Sequence, residues 1–222
     1  LQEGLTAVKT KVGFGEAQDR ATLAEARAAL GDGPALFADA NQAWNLGEAQ
    51  AMADVLSQHR VEWLEEPLEG DDLAELEKLS AEASIPIATG ENLYGASTFD
   101  RYLDSSAIRI IQPDLAKSGG LTMGAHVARR AARTNTSVGP HCYSSAVGIA
   151  AGLQLAAAYA SVQWIELDVR ENPLRTDLLR TPLRLEGGAL VVPQGDGLGI
   201  ELDRDVVNRY QTHVEERTRH DL

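Results

Sequence analysis

Six residues able to do acid–base or metal chemistry recur along this chain at nearly even spacing: Asp39, Glu65, Glu91, Asp114, His141 and Glu166, 23 to 27 residues apart. Each closes a short apolar run that reads as a β-strand, and the interval is about one strand, one helix and two short loops. A lone acid, or a lone histidine beside proline, is most often a surface or structural residue. Acids at successive strand ends are a different matter. Neighbouring strands lie about 4.8 Å apart, so Asp39, Glu65 and Glu91 would converge within a few ångströms. Their charges repel and require a cation. Oxygen ligands without His or Cys favour Mg2+, which keeps open positions for water or substrate. Glu65 and Glu66 are adjacent, so only one faces that side cleanly. Even spacing with Glu91 favours Glu65 and leaves Glu66 for a salt bridge or a supporting contact.

Two further groups suit proton transfer. Lys9 and Lys11 share one face of the first strand. A lysine close to another lysine and a divalent cation has its ammonium form disfavoured, which makes it a usable base. Asp114 ends the strand just before that of His141. A carboxylate bonded to one ring nitrogen fixes the tautomer and raises the basicity of the other. Together these groups describe a metal that holds a carboxylate substrate and stabilises an enolate. Lys11 takes or returns the α-proton from one face and His141 from the other. Glu166, if protonated, can hydrogen-bond the substrate carboxylate. Cys142 is a weak candidate nucleophile, because neighbours on a strand point in opposite directions.

The elements that must position these groups alternate strictly. Strand-like runs fall at 5–12, 35–40, 61–67, 85–92, 107–114, 136–142 and 162–168. Helical spacing falls between them at 16–30, 46–59, 71–83, 98–103, 119–133 and 144–159. The strands show little polar alternation, as expected when both faces are covered, which points to an α/β protein with a parallel sheet. The choice lies between an open doubly wound sheet and a barrel. Gly13-Phe14-Gly15 lacks the third glycine of a dinucleotide-binding turn. Polar groups at nearly every strand end suit a ring around one barrel mouth, so a barrel is expected. After Asp168 the pattern breaks into a loop, a Gly-rich hairpin or return segment, and a last helix at 203–215.

A net charge of −13 argues against nucleic acid and anionic membrane as partners. The single cysteine fits a reducing compartment, and a cytoplasmic location is expected. The apolar stretch 146–159 is too short and too Ala-rich for a membrane span. The chain opens at Leu1 in mid-pattern, and an N-terminal part is expected to be missing.

The ordered set KTK (9–11), DANQAW (39–44), EEP (65–67), GEN (90–92), PDLAKSGG (113–120), GPH (139–141) and WIELD (164–168) resembles the enolase superfamily, specifically its mandelate racemase subgroup. Each motif is weak alone, but seven in order span nearly the whole chain. The resemblance implies a modified TIM barrel of the (β/α)7β type, without its N-terminal capping domain and first strand. It implies Mg2+ on Asp39, Glu65 and Glu91, and Lys11 as one acid–base with Lys9 beside it. It also implies an Asp114–His141 dyad as the other base, Glu166 as an electrophilic partner, and Asn41 near the substrate. The muconate-lactonizing subgroup carries a lysine where Asp114 stands, so the chain departs from that subgroup. On this reading residues 1–180 form a partial barrel, and 181–222 a return segment that would pack toward the cap. Homo-oligomers are usual in the family.

Dehydration of a sugar acid to a 2-keto-3-deoxy acid is the common activity of the subgroup and the leading expectation. The same residues serve racemisation or epimerisation of a 2-hydroxy acid. A third alternative is an inactive truncated fragment.

Overall fold

The computed structural model describes residues 4–68 and 72–213; the expected helix boundaries at Asp71 and Glu215 lie outside them. The chain forms six parallel strands in sequential order, β1 (Ala7–Lys11), β2 (Ala35–Asp39), β3 (Val61–Glu65), β4 (Ile87–Thr89), β5 (Ile108–Ile111) and β6 (Ser137–Val138). The helices between them are α1 (Glu16–Leu30), α2 (Leu46–Gln58), α3 (Leu73–Glu82) and α4 (Ala96–Asp104), followed by α5 (Leu115–Ser118) and α6 (Gly120–Thr134). After β6 comes α7 (Ala146–Ala158).

Local chemistry sets the helix starts. Asn45 and Glu48 form a reciprocal capping box on α2, and the Asp72 side chain accepts from the Glu75 N–H on α3. Asp114 caps the single turn α5, a helix without a counterpart in the periodic pattern. Arg27 on α1 donates to the carbonyls of Gly31, Pro34, His59 and Arg60, and so ties the C-terminal ends of α1 and α2 together.

Each strand sorts its side chains onto two faces. Leu36, Leu64, Ile87, Ile111 and Val138 pack outward against Leu56, Phe99, Tyr102 and Val127 of the helices. Ala7, Ala35, Phe37, Trp63, Ala88, Ile110 and Trp164 fill the inside. Phe37 and Trp63 stack with centroids 3.5 Å apart, and Trp164 meets both edge-on at 5.0 and 5.8 Å. Trp164 follows β6 in sequence, yet it touches Phe37 on β2. The sheet therefore curls on itself around an aromatic floor.

The expected seventh strand is only a fragment. Val162 bridges Val138, and the Gln163 N–H donates to the Val138 carbonyl. No ladder continues from there to Asp168 among the described residues. Pro140 has no N–H to offer, and β6 itself stops at Val138. The segment nevertheless keeps its alternation, since Trp164 points to the floor and Glu166 reaches the Lys9 ammonium at 2.7 Å.

The C-terminal hairpin forms as expected, with β7 (Leu185–Glu186) and β8 (Ala189–Leu190) joined by Gly187-Gly188. Short helices α8 (Pro173–Thr176) and α9 (Arg204–Tyr210) flank it; α8 lies in a stretch that reads as loop. Gln154 on α7 donates to the carbonyls of Pro193 and Leu198, which anchors the segment to the barrel wall. No helix among the described residues is long and apolar enough to cross a membrane.

Candidate active site

Strand register puts the candidate ligands at one level. Lys11 pairs with Asp39, and Asp39 with Glu65, as direct neighbours across β1, β2 and β3. Glu91 lies two residues beyond β4. Carboxylate oxygens from Asp39, Glu65 and Glu91 all lie within 4.8 Å of one another. Asp39 and Glu65 are fully buried. Hard, anionic oxygen donors this close suit a divalent cation such as Mg2+.

Two lysines lie against this cluster. The Lys9 ammonium is 2.6 Å from Glu65, 2.7 Å from Glu166 and 3.8 Å from Asp39. Lys11 donates to Asp39. Burial works against the charge on Lys9, but Glu65, Glu166 and Asp39 outweigh it and hold the ammonium well above its ordinary value. The carboxylates around Lys9 thus favour its charged form. Burial pushes the Glu65 carboxyl up to about 8, against the pull of Lys9 and with a further push from Asp39.

The other flank is the Asp114–His141 pair. His141 Nδ1 lies 2.8 Å from Asp114 Oδ2, while Asp114 Oδ1 accepts from the N–H groups of Ala116 and Lys117. Capping α5 thus fixes the carboxylate that orients the imidazole. His141 Nε2 faces inward, 3.2 Å from Glu91 Oε2 and 4.0 Å from Glu166 Oε2. Glu166 Oε2 also accepts from the Cys142 N–H at 3.0 Å. The Cys142 thiol is buried, which raises its pKa, and Ser144 opposes this only in part.

Asn41 is exposed at the rim, and its backbone N–H donates to Asp39 Oδ1 at 2.8 Å. Glu66 is not one of the cluster of three; its two carboxylate oxygens accept from the Asn92 amide at 3.0 and 3.2 Å. Its carboxyl is raised by burial and by Glu91. Glu66, with φ of 40°, and the pair Asn41 and Gln42, at 44° and 64°, hold left-handed backbone where ligand-bearing strands turn outward. Strain of this kind concentrates at functional sites.

The structure adds Gln112, which sequence reasoning passed over. It is buried and donates to Glu65 Oε2 at 2.7 Å. A signal was present: Gln112 follows Ile110 at strand spacing and is polar where the inward face is otherwise apolar.

Comparison with known proteins identifies the family. The family described as "Enolase C-terminal domain-like" matches residues 1–206. The chain belongs to this family. It is 33% identical, over 94% of its length, to D-galactarolactone cycloisomerase of Agrobacterium fabrum, and 28% identical, over 95%, to arabinonate dehydratase of Saccharolobus solfataricus. It spans 57% of the length of each. A solved mandelate racemase/muconate lactonizing enzyme from Bordetella bronchiseptica RB50 superposes with a TM-score of 0.85 at 36% identity, over 94% of this chain and 58% of that one. The chain is thus an enolase-superfamily barrel of the mandelate racemase type.

Proposed function

We propose that the protein removes the α-proton of a sugar-acid carboxylate and expels the β-hydroxyl as water, as an Mg2+-dependent acid-sugar dehydratase. One observation carries this reading: the carboxylate cluster has a candidate base at each end, Lys11 on Asp39 and His141 beside Glu91. Asp39, Glu65 and Glu91 would hold Mg2+, which when bound stabilises the negative charge that develops on the substrate carboxylate.

The chain's own groups supply the rest. Asp114 holds Nδ1 of His141, so Nε2 is the atom that exchanges a proton with substrate. Lys11 does so from the opposite side. One base takes the α-hydrogen, and its bonding pair moves into an enediolate. That pair then forms the α,β double bond as the β-carbon–oxygen bond breaks. The leaving hydroxyl takes a proton from the conjugate acid of a base and departs as water, and the enol becomes a 2-keto-3-deoxy acid. Lys9 and Glu166 form a paired donor–acceptor wall beside the substrate carboxylate.

The likeness to a lactone cycloisomerase favours a second reading within the same chemistry. A β-oxygen held in a ring leaves without releasing water and yields an isomer. A substrate with no β-oxygen can only racemise. These outcomes separate in one experiment. The protein, in the full length its gene encodes, is incubated with Mg2+ and a panel of aldonic acids, aldaric acids and their lactones in D2O. A 2-keto-3-deoxy product from a free acid supports the dehydratase, and the same product from a lactone alone supports the cycloisomerase. Deuterium at the α-carbon without elimination indicates a racemase. No exchange with any acid, in a protein that binds Mg2+, would sink the proposal for that panel.

A further inference from the structure

Gln112 carries a feature that folding alone does not explain. Its side chain is buried, its Nε2 donates to Glu65 Oε2 at 2.7 Å, and its Oε1 is buried with no hydrogen-bond partner among the described residues. An unsatisfied buried carbonyl costs about 1–3 kcal/mol, whereas an apolar side chain of similar shape at that position costs nothing of the kind. Met or Leu would extend the inward layer that Ile110 and Trp63 already form. The amide is therefore a net burden on the core unless its single bond serves the site.

That bond goes to one particular atom. Lys9 donates to Oε1 of Glu65 and Gln112 to Oε2, so the two oxygens are fixed from opposite sides. The chain is also shaped to keep Gln112 there. Gly90, one residue before Glu91, has φ of 139°, and a Cβ on it would lie 2.7 Å from the Gln112 nitrogen. The Gln112 N–H donates to the Thr89 carbonyl in the same close approach. Gly90 thus permits the ends of β4 and β5 to touch, and this brings Gln112 and Glu91 together at the strand ends beside β3, which carries Glu65.

We infer that Gln112 is a positioning residue for divalent-metal binding: its amide locks the rotamer of Glu65 so that one carboxylate oxygen stays aimed at the cation shared with Asp39 and Glu91. This rests on the metal reading above. Supporting hydrogen bonds to metal ligands typically contribute about 10–100-fold in affinity.

The test is calorimetric titration of the protein with Mg2+, and with Mn2+ as a second probe, in wild type, Gln112→Met and Gln112→Asn. The Met variant removes the donor and the orphan carbonyl together. Its metal dissociation constant should rise about tenfold or more, measured on protein whose melting curve shows a cooperative folded state. The Asn variant keeps an amide but withdraws it by one methylene. It should weaken binding similarly, and it secures the test if the Met variant does not fold. A residue that merely fills the core would leave the metal affinity of folded protein unchanged, and affinity within twofold of wild type in either folded variant overturns the inference. Wild type that binds neither ion would instead overturn the metal reading on which it depends.

Discussion

Metal binding at the cluster of three should weaken as pH falls, and Glu65 should set the slope. Its carboxyl is pushed up to about 8, first by burial and then by Asp39, with Lys9 and Gln112 opposing. A cation must displace the proton that this carboxyl retains. Below about 8, each unit of pH should therefore raise the apparent dissociation constant about tenfold, which is about 1.4 kcal/mol per unit. From pH 8, where the carboxyl is already half protonated, to pH 6 the loss is about 50-fold. The same shift acts on stability with a definite sign. A carboxyl whose folded pKa lies above its unfolded value of 4.5 stabilises the folded state when protonated. That contribution is present at low pH and is lost as pH rises from about 4.5 to about 8. Metal-free protein should accordingly become less stable across this window, and saturating Mg2+ should restore the upper end. The assay is calorimetric titration at pH 6, 7 and 8, with melting curves recorded with and without the ion. A dissociation constant that does not change from pH 6 to pH 8, in a protein whose Asp39→Asn variant no longer binds, would refute the reasoning, because the ion would then bind without displacing the Glu65 proton.

Gly90→Ala should be severe: the new Cβ would meet backbone at 2.7 Å and φ is 139°, so we expect a loss of about 3 kcal/mol, read as a fall of about 6–12 °C in melting temperature, together with weaker metal binding through Glu91. Arg27→Met removes four donations to carbonyls at two helix ends. In this half-buried setting it should cost about 2–4 kcal/mol in chemical denaturation, with metal affinity unchanged. His141→Ala should abolish α-deuterium exchange at its face of the substrate while Mg2+ still raises the melting temperature, and loss of both would place His141 in the fold and not in proton transfer.

Much of the site was legible because a parallel sheet converts sequence spacing into position. Register between β1, β2 and β3 sets Lys11, Asp39 and Glu65 side by side, so evenly spaced acids became a cluster. What spacing could not supply is how each side chain is turned. Glu65 and Glu66 are adjacent in sequence, and their separation follows from left-handed backbone at Glu66 together with capture by Asn92. The behaviour of Lys9 could not be read from its neighbour Lys11, because the groups that decide it, Glu65 and Glu166, come from distant parts of the chain. The seventh strand reads as regular from its apolar pattern. Pairing depends on its neighbour, though, and Gly139-Pro140 ends that neighbour early.

The interrupted ladder also bears on how the mouth is built. Where backbone pairing stops after Gly139, whose N–H still donates to the Ile111 carbonyl, side-chain and capping contacts take over: Asp114 orients His141, the Cys142 N–H holds Glu166, and Lys9 bridges Glu166 to Glu65. A continued ladder would bind these backbone groups into the sheet and fix residues 139–142 as strand. The break leaves the Cys142 N–H free for a carboxylate. Below this rim Phe37, Trp63 and Trp164 pack ring against ring. Packed rings beneath and polar contacts above thus divide the mouth into two layers. The hard packing keeps the strand ends in register while the polar contacts set the final ångström.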